Sequence, residues 1–328
     1  MDPWQGAGPR ATERGADCCG SASVITMSAP ISATLFSDPA CPWGYSENPA
    51  LRVLEWRYGS QIEWKLVLVG LSENVDRYRA HGYTELRMAL GGVSFRDRYG
   101  MPFAAEPKPG MAPSSRACRA VIAARQQFPG SDWAVFRTLQ LANFNTPLLF
   151  DQDDQLRAIL AVVPGIDAAQ IVAAIDAPAV IAEYEQNKAQ TRTAAGSPTD
   201  FQGKAGNSDG VVRYTAPSVI FNHSAGKSLE AGGFQPVEAY DVLIANLDSS
   251  LSRRPAPEDI AQALAAFPLG LTTQEAAAIL TRGNDAVDRA AAEVKLLEAV
   301  HEGRAERHAL GNDALWTAPG CAYRPPSL

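Results

Sequence analysis

The sequence has few cysteines and histidines and lacks any long apolar run. Five cysteines and four histidines are scattered through 328 residues. An odd number of dispersed cysteines does not make a disulfide framework and is typical of a reducing compartment. No grouping of His, Cys and carboxylate residues has metal-ligand spacing, so we expect no metal site. No segment is long and apolar enough for a transmembrane helix or a signal peptide, which predicts a cytoplasmic protein.

Positive charge is also scarce. The chain carries 29 Lys and Arg against 36 Asp and Glu, a net charge of −7. A surface that binds nucleic acid or an anionic membrane needs the opposite sign, so we expect neither partner. No glycine motif follows a strand as a dinucleotide site would require. Small molecules or proteins remain as partners, and the sequence leaves the oligomeric state open.

One short motif carries the chemistry of the chain. Cys41-Pro42-Trp43-Gly44-Tyr45 lies between an apolar run, Ile31 to Phe36, and an amphipathic stretch, Ala50 to Tyr58. A strand that turns through a short loop into a helix places the cysteine at the helix N-terminus, where free N–H groups and the macrodipole favour a thiolate. Proline suits the first helical turn because it needs no N–H partner there. We therefore interpret Cys41 as a nucleophilic thiol.

The motif lacks a second cysteine. Gly44 stands where a CxxC sequence would carry it, so Cys41 has no partner in its own loop and monothiol chemistry is predicted. The alternative is that Cys41 is simply a small buried apolar residue. The loop-forming segment 37–40, which delivers Cys41 to a helix start, favours the functional interpretation.

Periodicity predicts a mixed α/β architecture with a helical insertion. Strands are expected at 31–37 and 62–69, with a helix at 50–58 between them. A section from about 72 to 210 shows helical patterns only, at 114–127, 133–143, 153–163, 167–175 and 178–193. Residues 218–222 and 227–230 flank a turn containing Gly226 and predict a hairpin, and a helix is expected at 236–251.

A second, smaller unit is predicted after the proline-containing linker 252–257. Three helices, at 260–267, 272–280 and 285–301, precede a hairpin around Gly311-Asn312, an arrangement that resembles a winged-helix domain. Residues 255–318 contain ten Asp and Glu against five Lys and Arg, the wrong sign for DNA binding. The predicted divisions are a disordered tail (1–27), a main domain (28–254) and this winged-helix-like domain with a C-terminal tail (255–328).

Three segments carry a resemblance to a known family. These are 38–45 (DPACPWGY), 214–221 (YTAPSVIF) and 229–236 (LEAGGFQP). They resemble the DsbA-like thioredoxin family, in particular its cytoplasmic branch with FrnE, kappa-class glutathione transferases and 2-hydroxychromene-2-carboxylate isomerases. The resemblance implies a thioredoxin fold in which Pro217 is cis and faces Cys41. Ala216 would then offer its backbone N–H and C=O to an extended substrate, as an added strand does.

Other candidate site residues follow from the motif and the resemblance. Pro42, Trp43 and Tyr45 are assigned to substrate binding beside Ala216 and Pro217, although such aromatic residues can also be packing residues. Cys118 stands in the inserted helix where related glutathione-using enzymes carry Ala-His-Arg. It could resolve a mixed disulfide on Cys41, or be a core cysteine on an alanine-rich helix face.

Three functions remain open. The first is a DsbA-like thiol–disulfide oxidoreductase that uses Cys41 as a monothiol and acts on protein or small-molecule thiols and disulfides. The second is a glutathione-transferase-like or isomerase-like enzyme that uses a low-molecular-weight thiol such as glutathione or mycothiol; no tightly bound cofactor is expected. The third is a non-catalytic thioredoxin-fold module that kept the groove and lost the redox pair.

Overall fold

The computed structural model describes residues 29–104, 106–207, 209–283 and 285–327. The tail predicted at 1–27 lies outside them. The chain begins as a strand–helix–strand unit: β1 (Ile31–Ser37), α1 (Pro42–Ser46), α2 (Asn48–Tyr58) and β2 (Ile62–Leu68). After the insertion it continues with β5 (Ser218–His223), β6 (Ser228–Gly232) and α11 (Val237–Leu247).

The insertion between β2 and β5 is mainly helical. Its elements are α3 (Val75–Ala80), α4 (Glu85–Tyr99), α5 (Ser115–Gln127), α6 (Asp132–Asn145), α7 (Asp153–Leu160), α8 (Ala168–Ala174), α9 (Pro178–Thr191), α10 (Pro198–Phe201), β3 (Gly206–Asn207) and β4 (Val212–Arg213). The five predicted helices are confirmed within a few residues. The prediction that only helices occur before residue 210 is wrong at one point, because β3 pairs with β4 in a small hairpin.

The main sheet has the strand order β2-β1-β5-β6. Strand β1 is parallel to β2 and antiparallel to β5, which in turn is antiparallel to β6. Gly226 provides the left-handed residue of the β5–β6 turn, with φ of 88°. This topology and the helical insertion confirm the predicted thioredoxin fold.

The two faces of β1 belong to different cores. Ile31, Ala33 and Leu35 alternate along the strand and pack into the principal core, together with Leu54 of α2. Phe36 lies on the other face, in a smaller apolar cluster that also contains Cys41. The pleat of one strand therefore separates the structural core from the surroundings of the thiol.

The C-terminal unit contains α12 (Ile260–Ala266), β7 (Leu271–Thr272), α13 (Thr273–Leu280), α14 (Arg289–His301), β8 (Glu306–Leu310) and β9 (Asp313–Thr317). Its three strands have the order β7-β9-β8, and the predicted hairpin around Gly311-Asn312 joins β8 to β9. Thr272 caps α13 in a capping box with Glu275. Three helices and a small antiparallel sheet agree with the winged-helix-like prediction.

Helix α2 packs in both units. Its Val53 and Trp56 enter the core of the C-terminal unit beside Trp316, while Leu51 and Leu54 enter the principal core. The indole nitrogen of Trp56 donates to the carbonyl oxygen of Pro255 at 2.7 Å. The C-terminal unit is therefore fixed directly on the helix that follows the cysteine motif.

Helices α3 and α4 were missed by periodicity because none of their residues is buried. Their start is marked instead by side-chain caps, since Asn74 and Thr84 accept from backbone N–H groups of their first turns. In the part of the chain that the structure describes, no helix is long and apolar enough to cross a membrane.

Candidate active site

Cys41 occupies the N-cap of α1. Its backbone is extended, with φ of −82° and ψ of 113°, and Pro42 follows in the first helical turn. The N–H of Cys41 donates to the carbonyl oxygen of Asp38 at 3.0 Å, which closes the loop after β1. The sequence therefore places the thiol at a strand-to-helix junction, as predicted.

The loop before β5 meets this cysteine. The Cys41 thiol donates to the carbonyl oxygen of Ala216 at 2.9 Å, and the Ala216–Pro217 peptide bond is cis. Antiparallel pairing places Ser218, the first residue of β5, opposite Phe36 near the end of β1. The sheet thus brings together two segments that lie 175 positions apart in sequence.

Burial dominates the electrostatics of the thiol. Cys41 is 5% exposed, and burial raises its pKa from 9.0 to about 12. The N–H groups of Gly44 and Trp43 and the charge of Arg213 lower the pKa, but they do not offset the loss of solvent. The helix start was expected to favour a thiolate at Cys41, but burial outweighs it and favours the protonated thiol.

Asp38 is a functional candidate that the sequence reasoning did not assign. It is fully buried, and one carboxylate oxygen accepts from the N–H of Leu71 at 2.8 Å and from the hydroxyl of Ser114 at 2.9 Å. The other oxygen accepts from the N–H of Ala40 at 2.9 Å. Burial raises the pKa of Asp38. The only sequence signal was its place three residues before Cys41.

Cys118 lies on α5 in the principal core and is fully buried. Its Sγ is 3.6 Å from a carboxylate oxygen of Asp38, and burial raises its pKa well above the ordinary value. Cys41 and Cys118 therefore share Asp38 as an electrostatic neighbour, and neither is in a disulfide.

Trp43 forms the exposed edge of the site. Its side chain is 42% exposed, and its ring packs against Phe95 and Tyr99 of α4 and against Phe234, with centroid distances of 4.9, 5.6 and 5.8 Å. Pro42 beside it is half-buried. An indole held at its edges by other rings can present its remaining surface to a bound chain.

Tyr45 has a structural position. The ring is fully buried and packs against Phe103 and Phe144, with centroid distances of 5.2 and 4.7 Å. Its hydroxyl accepts from the Asn145 side chain at 3.0 Å. The interpretation of Tyr45 as a wall for ligand is therefore wrong: one residue further along α1 than Gly44, the side chain turns into the core.

Gly44 is buried against the end of β1. A Cβ atom added there would lie 2.7 Å from the hydroxyl oxygen of Ser37 and 3.6 Å from the Cβ of Cys41. A second cysteine at this position therefore requires Ser37 to move. Within the described ranges, no group of three or more His, Cys, Asp or Glu residues is arranged to hold a metal ion.

Comparisons with solved structures find proteins that are similar to this chain in fold. A solved structure of a proposed protein disulfide isomerase from Nitrosomonas europaea has a TM-score of 0.50 at 16% identity, covering 66% of this chain and 96% of that one. The cytosolic disulfide reductase DsbM from Pseudomonas aeruginosa, solved with GSH, has a TM-score of 0.46 at 16% identity, covering 66% and 98%. A search of curated proteins finds no match.

The family model for the DSBA-like thioredoxin domain matches residues 34–215. This range starts in β1, contains the cysteine motif and the helical insertion, and ends beside Ala216. The chain therefore belongs to the DSBA-like thioredoxin domain family.

Proposed function

We propose that this protein is a thiol–disulfide oxidoreductase that works by a monothiol mechanism through Cys41. One observation carries the proposal: the Cys41 thiol, at the start of α1, contacts the carbonyl oxygen of Ala216 in the loop that ends at the cis proline. The proposal is supported because the Cys41 sulfur lies beside the backbone of Ala216, with which an extended substrate would pair. Gly44 leaves the motif without a second thiol.

Substrate docking supplies the activation that the resting site lacks. A thiol that donates to Ala216 is held in its protonated form. An extended chain that pairs with Ala216 would donate its own N–H to the same carbonyl and free the Cys41 proton. The N–H groups of Trp43 and Gly44 then remain to stabilise the thiolate.

The exchange proceeds in two balanced steps. The Cys41 thiolate attacks one sulfur of a substrate disulfide, the substrate S–S bond breaks, and the second sulfur leaves as a thiolate that takes up a proton. The thiolate of a low-molecular-weight thiol, such as glutathione or mycothiol, then attacks the substrate sulfur of the mixed disulfide. Cys41 leaves as a thiolate and is reprotonated, and the product is a mixed disulfide of the substrate half and the small thiol.

Cys118 is not needed for this scheme. Its thiol is buried in the core and held at Asp38, so it could resolve the Cys41 disulfide only after α5 or the cysteine loop moves. The assignment to the branch with FrnE, kappa-class glutathione transferases and isomerases, and a location in the cytoplasm, are part of the same proposal. Both agree with a small thiol as the second reactant.

Three observations at Cys41 and Gly44 favour a second function, a binding module. The burial of Cys41, its raised pKa and the crowding of Gly44 by Ser37 also suit a binding module without redox activity. Such a module would bind extended chains at Ala216 and use the cysteine only for packing.

One experiment separates the two functions. The wild type and the variants Cys41→Ser and Cys118→Ser are incubated with a glutathionylated peptide and glutathione, and turnover and protein adducts are followed by mass spectrometry. We expect turnover and a mixed disulfide on Cys41 in the wild type and in Cys118→Ser, and neither in Cys41→Ser. Peptide binding without turnover would support the binding module, and turnover that requires Cys118 would refute the monothiol mechanism.

A further inference from the structure

Helices α4 and α14 each carry an exposed apolar face. On α4, Leu86 and Leu90 are both 59% exposed, and on α14, Val294 and Leu297 are 55% and 48% exposed. None of the residues of α4 is buried, and α14 buries only alanines and a leucine of its opposite face. Single exposed apolar residues are normal, whereas several on one helix face mark an interaction surface.

The spacing within the two faces is the same. Apolar residues follow one another at intervals of four and then three positions: Leu86, Leu90 and Val93 on α4, and Ala290, Val294 and Leu297 on α14. None of these side chains is buried. We call the two rows the α4 seam and the α14 seam, because apolar residues at this spacing are the pattern by which two helices pack side by side.

Charged residues of opposite sign border the two seams. Arg87 and Arg96 lie on either side of the α4 seam, and Glu293 and Glu298 lie on either side of the α14 seam. Such flanking residues pair across a helix interface and decide which helices associate. The flanking positions of each helix contain no residue of the other sign, so neither seam can form these ion pairs with a copy of itself.

An antiparallel arrangement aligns both the seams and the charges. Because residue numbers then run in opposite directions, one register pairs the centres of the seams: Leu90 with Leu297, and Val93 with Val294. The same register pairs the flanking charges: Arg87 with Glu298, and Arg96 with Glu293. The two helices, of 15 and 13 residues, also match in length.

Both seams are exposed in the folded chain, so they do not cover each other within one molecule. We propose that two copies of this chain associate through them, with the α4 seam of each copy antiparallel to the α14 seam of the other. Two such contacts related by a two-fold axis make a closed dimer. The proposal does not depend on the proposed redox function, although α4 also supplies Phe95 and Tyr99, which pack against Trp43 at the edge of the cysteine site.

Sedimentation equilibrium of the full chain tests the association. We expect the mass to rise with concentration from 35.0 kDa towards twice that value. Leu90→Asp should raise the dissociation constant by about tenfold or more, because it buries a carboxylate at the centre of the interface. Val242→Asp is the matched control, since Val242 on α11 is also 59% exposed and lies outside both seams, and it should leave the dissociation constant unchanged.

A charge exchange tests the register. Arg87→Glu and Glu298→Lys each place like charges opposite one another, so each should weaken association by about tenfold. The double variant again has opposite charges at both contacts and should associate as the wild type does. Glu238→Lys makes the same change of charge at an exposed position of α11 and should have no effect.

Three results would overturn the proposal. They are a wild type that stays at 35.0 kDa up to high micromolar concentrations, a dimer that survives Leu90→Asp, and a double variant that associates no more tightly than the single variants. Larger assemblies that Leu90→Asp dissolves would support the helix pairing and overturn the closed dimer.

Discussion

The buried thiol makes a quantitative prediction about its reactivity. Raising the pKa of Cys41 from 9.0 to about 12 lowers its thiolate fraction near neutral pH; three pKa units correspond to about a thousandfold. A more basic thiolate is intrinsically more nucleophilic, and a Brønsted coefficient of about 0.4–0.5 restores roughly 20-fold of this loss. Cys41 in the folded protein should therefore exchange with a small disulfide reagent about 50-fold more slowly than in the denatured chain.

The assay follows modification of each cysteine by peptide mass spectrometry between pH 7 and 10. The rate at Cys41 should rise about tenfold per pH unit over the whole range without reaching a plateau, because ionisation stays far from complete. Cys321, which is half-buried, provides an internal comparison in the same samples. A plateau at Cys41 with a midpoint below pH 9, or equal rates in folded and denatured protein, would refute this account of the site.

Three further predictions concern stability and redox chemistry. Burial raises the pKa of Glu47 from 4.5 to about 8. The folded state therefore retains a proton that the unfolded chain releases, so stability should fall between about pH 4.5 and 8. The loss in the free energy of unfolding amounts to roughly 4–5 kcal/mol, and Glu47→Gln should lack it when both proteins are unfolded by denaturant across this pH range. If the free energies of unfolding of wild type and variant fall in parallel with pH, the prediction is contradicted. Gly44→Cys alone should gain little insulin-reductase activity, whereas Ser37→Ala/Gly44→Cys should gain more, because the hydroxyl that crowds the new Cβ is gone; equal activities of the two folded variants would argue against crowding. Arg137→Met should destabilise the protein by about 3–5 kcal/mol, because the buried Glu275 carboxylate loses both bonds from Arg137 and keeps Arg52, 4.0 Å away, as its cationic neighbour. Replacing both residues by methionine should recover most of this loss; no recovery would show that packing at Arg137 or the capping bond of Glu275 to the Thr272 N–H matters more than charge.

The sequence predicted the elements well where one face of an element is buried. Ile31, Ala33 and Leu35 alternate as a half-buried strand must, and the glycine of the β5–β6 turn marks an end that depends on local chemistry. Helix α4 was not predicted, because a helix without a buried face has no apolar stripe to detect.

The position of Cys41 at a helix start was predicted correctly, but the rise in its pKa was not. A cysteine before a proline at a strand end is a local signal, and it correctly placed Cys41 at a helix start. The depth of burial depends on the loop that carries Ala216, far along the chain, and no local pattern reports it. Asp38 shows the same limit, since its partners Leu71 and Ser114 come from other elements.

Helix α2 ties the folding of the two units together. Val53 and Trp56 are 3% and 4% exposed and lie in the core cluster of the C-terminal unit. A chain shortened to end at residue 254 would expose both side chains on one helix surface, next to residues that hold the principal core. During synthesis the N-terminal unit would therefore leave the ribosome with an uncovered apolar strip, and its final stability would be acquired only when the C-terminal unit had been made.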